Sequence, residues 1–189
     1  MENKMRIITG TARGTRLATL DGEATRPTAE RVKEAVFSMI QFDLMDSTIL
    51  DLFAGSGQMG LEALSRGAEK AHFIDKSAEA VEIIKKNADK THLSDRASVF
   101  CADSIDYLKR SKGRCKFDFV FIDPPYGSGL VAESLELLSD GAMLNDGAWL
   151  IVEDETEDIF GGNDELAAKF NVEKSNRYGR VHIVVLTVK

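Results

Sequence analysis

From Thr48 onward the chain alternates short apolar runs with longer segments whose apolar side chains recur at helical spacing. Residues 49–53, 71–74, 98–102, 117–122 and 148–152 read as strands. Residues 59–66, 77–90, 104–110 and 130–141 between them read as helices, and Val81, Ile84 and Ala88 share one face of the second. Asn145-Asp146-Gly147 has turn chemistry and is expected to precede the fifth strand. Strands apolar enough to be covered on both faces, in strict alternation with helices, predict an α/β fold with a parallel, doubly wound sheet. A short helix over 164–169 leads to two last strands, 171–176 and 180–188. Their tight connection at Tyr178-Gly179 predicts an antiparallel pair.

The start of the chain has a different pattern. Residues 6–9 and 15–18 are β-prone and flank Gly10-Thr11-Ala12-Arg13-Gly14, which predicts a hairpin with a basic tip. Thr28, after Pro27, is placed to cap a helix in which Val32, Ala35, Val36, Met39 and Ile40 share a face. We therefore expect residues 1–44 to form an appendage and residues 45–189 the main domain. With 189 residues and 43% hydrophobic content, the chain suits one sizeable core better than two.

Charge refines this division. Lys4, Arg6, Arg13 and Arg16 stand against Glu2 alone in the first twenty residues, a local charge of +3 in a chain whose total is −7, so the remainder carries −10. A surface coated for nonspecific nucleic-acid binding is excluded, and the basic end is the N-terminus. Cys101 and Cys115 form no CxxC pair, and no Cys/His cluster has ligand spacing, so neither a metal nor a disulfide framework is expected. No apolar run approaches the roughly 18 residues of a membrane span, and a cytoplasmic protein is expected.

Candidate chemistry gathers at strand ends. In a parallel sheet, ligands bind where strands finish. Asp51 to Gly60 runs from strand through a glycine turn into a helix, and Gly55, Gly57 and Gly60 spell GxGxxG, with Asp75 closing the next strand. Glycines there let backbone approach a ligand, and the helix N-terminus offers free N–H groups. Asp75 can take two ribose hydroxyls and Asp103 an adenine amino group, although each can also serve simply to cap the helix after it. The fourth strand ends in Asp123-Pro124-Pro125-Tyr126, which brings together a carboxylate, rigidly held carbonyls and an aromatic ring. A dehydrogenase would need a proton donor at this edge, and His72, His92 and His182 are expected to lie away from it. Holding the amino group of a flat base suits the tetrad better. Asp123 and the Pro124 carbonyl would accept its two N–H groups, and Tyr126 would stack on the ring. The catalytic contribution would then be mainly positioning of the nitrogen in line with an activated methyl group.

Asp51 to Gly57, Asp75, Asp103 and Asp123-Pro124-Pro125-Tyr126, in this order, resemble the class I S-adenosylmethionine-dependent methyltransferases that modify amino nitrogens. The runs Met5 to Gly10, Arg13-Gly14, Arg26-Pro27-Thr28, Arg31 to Glu34 and Gly60 to Ala68 resemble more narrowly the bacterial RsmD family, which methylates N2 of a guanine in small-subunit ribosomal RNA. The resemblance implies a Rossmann-like sheet, S-adenosyl-L-methionine as cofactor, and Asp123, Pro124, Pro125 and Tyr126 as the catalytic group. It further implies a cofactor site of Asp51, Phe53, Gly55, Gly57, Asp75, Lys76, Asp103 and Ser104, and RNA contact by Arg6, Arg13, Arg16 and Arg26. The implied partner is small-subunit ribosomal RNA within an assembled or assembling 30S particle, met by a monomer without membrane or metal. Thr15 departs from the family pattern where another basic residue often stands, and Gln58-Met59 where smaller or apolar residues do.

Two charge clusters complete the reading. Lys109, Arg110, Lys112, Arg114 and Lys116 precede a parallel strand, which puts them on the face away from the site. Glu153, Asp154 and Glu155 follow a strand and fall near the site, where they either exclude phosphate or contact base donors; the sequence leaves both open. The competing functions are an adenine-N6 methylase of DNA or another RNA, a noncatalytic adenosine-binding module and a nucleotide-dependent dehydrogenase.

Overall fold

The computed structural model describes residues 5–20 and 27–189. Arg26 lies outside the described residues, and the expected Thr28 cap outside the described side chains. The elements in chain order are α1 Pro27–Ile40, β1 Thr48–Asp51, α2 Gln58–Ser65, β2 Lys70–Asp75, α3 Ala78–Lys90, a 3-10 turn Ser94–Arg96 and β3 Ala97–Cys101. They continue with α4 Ser104–Ser111, β4 Phe117–Ile122, α5 Leu130–Leu138, β5 Leu144–Asp154, α6 Asp164–Ala167, β6 Phe170–Tyr178 and β7 Val181–Val188.

Among the described residues the strands form one seven-stranded sheet in the order β3-β2-β1-β4-β5-β7-β6. The pairs β2/β3, β1/β2, β1/β4 and β4/β5 are parallel, whereas β7 runs antiparallel to both β5 and β6. This is the expected mostly parallel, Rossmann-like sheet with an antiparallel C-terminal pair. The order reverses between β1 and β4, which opens the crevice where such sheets hold ligands.

Alternation along the central strands sends side chains to two cores. Ile49, Phe73, Phe121, Ile151 and Ile183 face α1, α2 and α3, whereas Leu50, Ile74, Val120, Ile122, Leu150 and Val184 face α4 and α5. Ile7, Leu17, Val32, Phe37 and Ile40, from the region expected as an appendage, are buried in the first of these cores.

Three local findings depart from the expected pattern. The N-terminal hairpin contains a single isolated bridge, Arg6 to Arg16, because its tip is pulled onto α2 instead of extending the ladder. Thr11 N–H donates to the Ser65 carbonyl at 2.8 Å, and a Cβ on Gly10, whose φ is +87°, would stand 1.8 Å from that same oxygen. Asn145-Asp146-Gly147 does not end before β5 begins. It lies within the strand as an irregularity, with the register jumping from Phe117↔Leu144 to Phe119↔Trp149. Asp118 holds this loop-out, accepting from Asn145 Nδ2 at 2.8 Å and from Thr48 N–H at 2.7 Å. His182, expected away from the binding edge, is the register partner of Asp154 at the end of β5, because β7 starts at that edge and runs the other way. Its neighbour Ile183 faces the first core, so alternation aims His182 toward the opposite side of the sheet.

Candidate active site

Asp51, the last residue of β1, is buried and accepts the Gly60 N–H through Oδ2 at 2.9 Å, tying the strand end to the first turn of α2. Burial pushes its carboxyl up to about 7; the Gly60 bond opposes this and the neighbouring Asp75 adds to it. Gly55 and Gly57 have φ of +52° and +76°, so the chain reverses direction within a few residues and leaves α2 without a side-chain cap at its N-terminus. Gly60 serves packing: a Cβ there would lie 2.3 Å from the buried Phe73 ring.

Asp75 joins the glycine turn to the next crossover. Its Oδ2 accepts the Gly55 N–H at 2.9 Å and its Oδ1 the Ser77 N–H at 2.8 Å, while Ser77 itself caps α3. Each carboxylate oxygen has a second lone pair, so both can still accept from ribose hydroxyls. Asp103 is the N-cap of α4 and accepts from Ile105 and Asp106 through Oδ1 alone. The capping role weighed for it is real, and Oδ2 stands outside the cap. Ser104 is buried and donates its hydroxyl to the Leu52 carbonyl, which locks α4 to β1. Phe53 packs half-buried against the second core, and Lys76 is exposed beyond β2. The turn, Asp75 and Asp103 therefore line up along the carboxyl ends of β1, β2 and β3. An open helix N-terminus for a carboxylate and acceptors for hydroxyl and amino groups fit an adenosyl amino acid.

On the other side of the crevice, Asp123-Pro124-Pro125-Tyr126 leaves the end of β4. A cavity of about 120 Å³ opens there between Val32 of α1, Gln58 and Met59 at the start of α2, Asp123, Ile151 and Glu153. The departures at Gln58 and Met59 thus border this cavity. Tyr126 is 39% exposed and donates its hydroxyl to Glu153 Oε1 at 2.9 Å. Burial and the carboxylates of Glu153 and Asp123 hold the Tyr126 hydroxyl well above its ordinary range, so it stays a donor. Burial also raises Glu153, against the lowering effect of the Tyr126 bond. Of the acidic segment, Glu153 borders the cavity and bonds Tyr126, and Glu155 stands near enough to raise the same hydroxyl further.

The sequence gives little sign of what holds the N-terminal segment in place. Glu62, on α2, is 0% exposed and accepts Ile8 N–H at 2.8 Å, Thr9 N–H at 3.0 Å and Arg66 Nε at 2.8 Å, with Lys33 Nζ at 3.5 Å. Lys33 also donates to the Arg6 carbonyl at 2.6 Å. Asn87 of α3 donates to the Ala18 and Ser56 carbonyls, both at 2.9 Å, and accepts from Ala18 N–H at 2.7 Å. A charged residue inside the apolar run Gly60-Leu61-Glu62-Ala63-Leu64 is the signal that could have revealed Glu62. Of the arginines, Arg13 and Arg16 are exposed and Arg6 pairs with Glu30 at 3.0 Å. The hairpin tip bearing Arg13 lies by the C-terminal end of α2, whereas Met5 and Ala18 at its open end adjoin Ser56 of the glycine turn. The basic segment 109–116, which runs from the last turn of α4 into the loop before β4, lies at the other end of the sheet, where Lys109 and Lys112 pair with Glu133 and Asp140.

The chain as a whole is similar to known proteins. Ribosomal RNA small subunit methyltransferase D of Haemophilus influenzae is 38% identical over 157 residues, which is 82% of this chain and 81% of that protein. A solved Escherichia coli protein described as a candidate methyltransferase, yhhF, superposes with a TM-score of 0.84 at 33% identity, covering 99% of each chain. A candidate SAM-dependent methyltransferase from Streptococcus mutans shares the fold, with a TM-score of 0.66 at 16% identity over 84% of this chain and 48% of that one. A family model described as Conserved hypothetical protein 95 matches residues 5–187. The chain belongs to that family, the RsmD family whose signatures its N-terminal and DPPY segments resemble.

Proposed function

We propose that the chain is a ribosomal RNA methyltransferase that transfers a methyl group from S-adenosylmethionine to N2 of a guanine in the small subunit. The observation that carries this reading is the meeting, where strand order reverses, of two half-sites. The glycine turn with Asp75 and Asp103 lies on one side, and the cavity bordered by Asp123 and Glu153 on the other. The name of the Haemophilus influenzae relative supports the substrate class.

S-adenosylmethionine, when bound, supplies a methyl carbon on a sulfonium, which becomes a neutral thioether on transfer. The protein's work is to present the nitrogen. The amino lone pair of guanine is delocalised into the ring. Accepting its two N–H groups at the Asp123 carboxylate and the Pro124 carbonyl favours the pyramidal, nucleophilic form. Tyr126 stacks on the base, which must leave its neighbours to enter. As the N–C bond forms and the C–S electron pair goes to sulfur, the nitrogen sheds one proton to Asp123 or to water. Positioning of this kind supplies most of the rate.

The N-terminal segment, residues 1–44, carries the RNA contacts in this reading, through Arg6, Arg13, Arg16 and Arg26. Four arginines on a chain of net charge −7 bind naked RNA weakly, so an assembled particle is the preferred substrate, met by one copy of the chain. The test is transfer of labelled methyl groups to small subunits and to protein-free RNA, both from cells lacking this protein. Faster transfer to subunits is expected, and equal rates contradict the charge argument. A thermal shift with S-adenosylmethionine and none with NAD is expected alongside; the reverse points to the dehydrogenase.

A further inference from the structure

Guanine and adenine differ at N1 as well as in their exocyclic groups. In guanine N1 carries a hydrogen beside the 2-amino group, whereas in adenine N1 is a bare acceptor. A site that grips only an amino group cannot use this difference.

Asp123 and Glu153 stand one residue beyond the register pair Ile122↔Val152 on adjacent parallel strands, and both border the same cavity. Neighbouring strands lie about 4.8 Å apart, the scale on which two carboxylates can each take one of two adjacent N–H groups. The Tyr126 hydroxyl bond falls on Glu153 Oε1, so Oε2 can take a second donor.

We infer that Glu153, oriented by Tyr126, accepts the guanine N1–H while Asp123 holds the 2-amino group, and that it thereby sets the specificity of the site for guanine over bases with an unprotonated N1. This rests on the guanine-N2 reading above and adds a residue to it. An ionised Glu153 facing the lone pair of adenine N1 meets repulsion in place of a hydrogen bond. Burial makes that contrast larger, because an unpaired carboxylate there has little water to turn to. Tyr126 then has two functions, stacking through its ring and orientation through its hydroxyl.

The test uses a base that keeps the 2-amino group but loses the N1 hydrogen. The nucleotide methylated by the unaltered protein is first mapped by mass spectrometry. Small subunits are then reconstituted with a synthetic RNA segment carrying guanine or 2,6-diaminopurine at that position. The unaltered protein is expected to methylate guanine far faster. Glu153→Gln, whose amide can donate to the bare N1, is expected to raise the diaminopurine-to-guanine ratio of kcat/KM roughly 10- to 100-fold, with the affinity for S-adenosylmethionine unchanged. Tyr126→Phe keeps the stacking ring and is expected to shift the ratio in the same direction by less. If Glu153→Gln leaves the ratio unaltered, whether both rates hold or both fall together, Glu153 does not read N1 and the inference is overturned while guanine-N2 methylation stands. If the unaltered protein forms no N2-methylguanosine, the reading beneath it fails first.

Discussion

Glu62→Gln probes how the N-terminal segment is fastened to the sheet. The carboxylate, itself 0% exposed, takes two backbone N–H groups and one guanidinium and lies 3.5 Å from a buried ammonium. An amide in either orientation turns an NH2 toward two of those donors and removes the charge opposite Lys33 and Arg66, whose side chains are 3% and 13% exposed. Removing one partner of such a buried pair costs about 3–5 kcal/mol, which for a domain of this size lowers Tm by roughly 6–20 °C. The effect has a pH signature. Burial lowers the pKa of Lys33, and Glu62 opposes that. Without Glu62 the folded protein binds this proton still less than the unfolded chain does, so stability climbs with pH toward the ordinary lysine value near 10.5 more steeply in the variant. Equilibrium denaturation from pH 7 to pH 10 measures the deficit, and amide exchange at Ile8 and Thr9 localises it. A loss below about 1 kcal/mol with unchanged protection at those two amides would refute the reasoning.

Gly60→Ala puts a methyl 2.3 Å from the buried Phe73 ring, and overpacking of about 1–3 kcal/mol outweighs the roughly 1 kcal/mol helix preference for Ala; chemical denaturation should show a net loss that Phe73→Leu partly restores. Asp51→Asn should stabilise the protein at pH 8. The raised pKa of about 7 means that the folded form holds a proton the unfolded chain releases near 3.8, so stability from this group is lost as pH rises through that window. At 1.36 kcal/mol per decade the gap sets an upper limit of about 4 kcal/mol, and urea titrations at pH 4 and pH 8 should show the advantage only at the higher pH. Asp123→Ala should lower kcat by at least about 100-fold with calorimetric affinity for S-adenosylmethionine retained, whereas loss of both would move Asp123 to the cofactor's half of the site.

The sheet was legible because apolar runs bounded by Gly and Asp leave few alternatives to buried parallel strands, and the tight connection read at Tyr178-Gly179, which the structure places one residue later at Gly179-Arg180, forced the final antiparallel pair. The strand-end carboxylates were legible for the same reason: direction of travel fixes which end faces the crevice. That logic failed for His182, since a strand running the other way brings its start to the ligand edge. Turn chemistry misled at Asn145-Asp146-Gly147, where Asp118 keeps the segment within a distorted ladder. Glu62 and Asn87 were hidden by distance, their N-terminal partners lying 53 to 69 residues away along the chain. Glu153 was placed near the site, but its bond to Tyr126 depends on side-chain geometry that a pattern of carboxylates does not encode.

In the proposed reaction a guanine amino group is held at the end of β4 for methylation. Small subunits from cells lacking this protein, incubated with it and S-adenosylmethionine and digested to nucleosides for mass spectrometry, show whether that grip exists. One new N2-methylguanosine per small-subunit RNA is the expected result. N6-methyladenosine in its place, or no methylated nucleoside beyond the untreated control, would contradict the account.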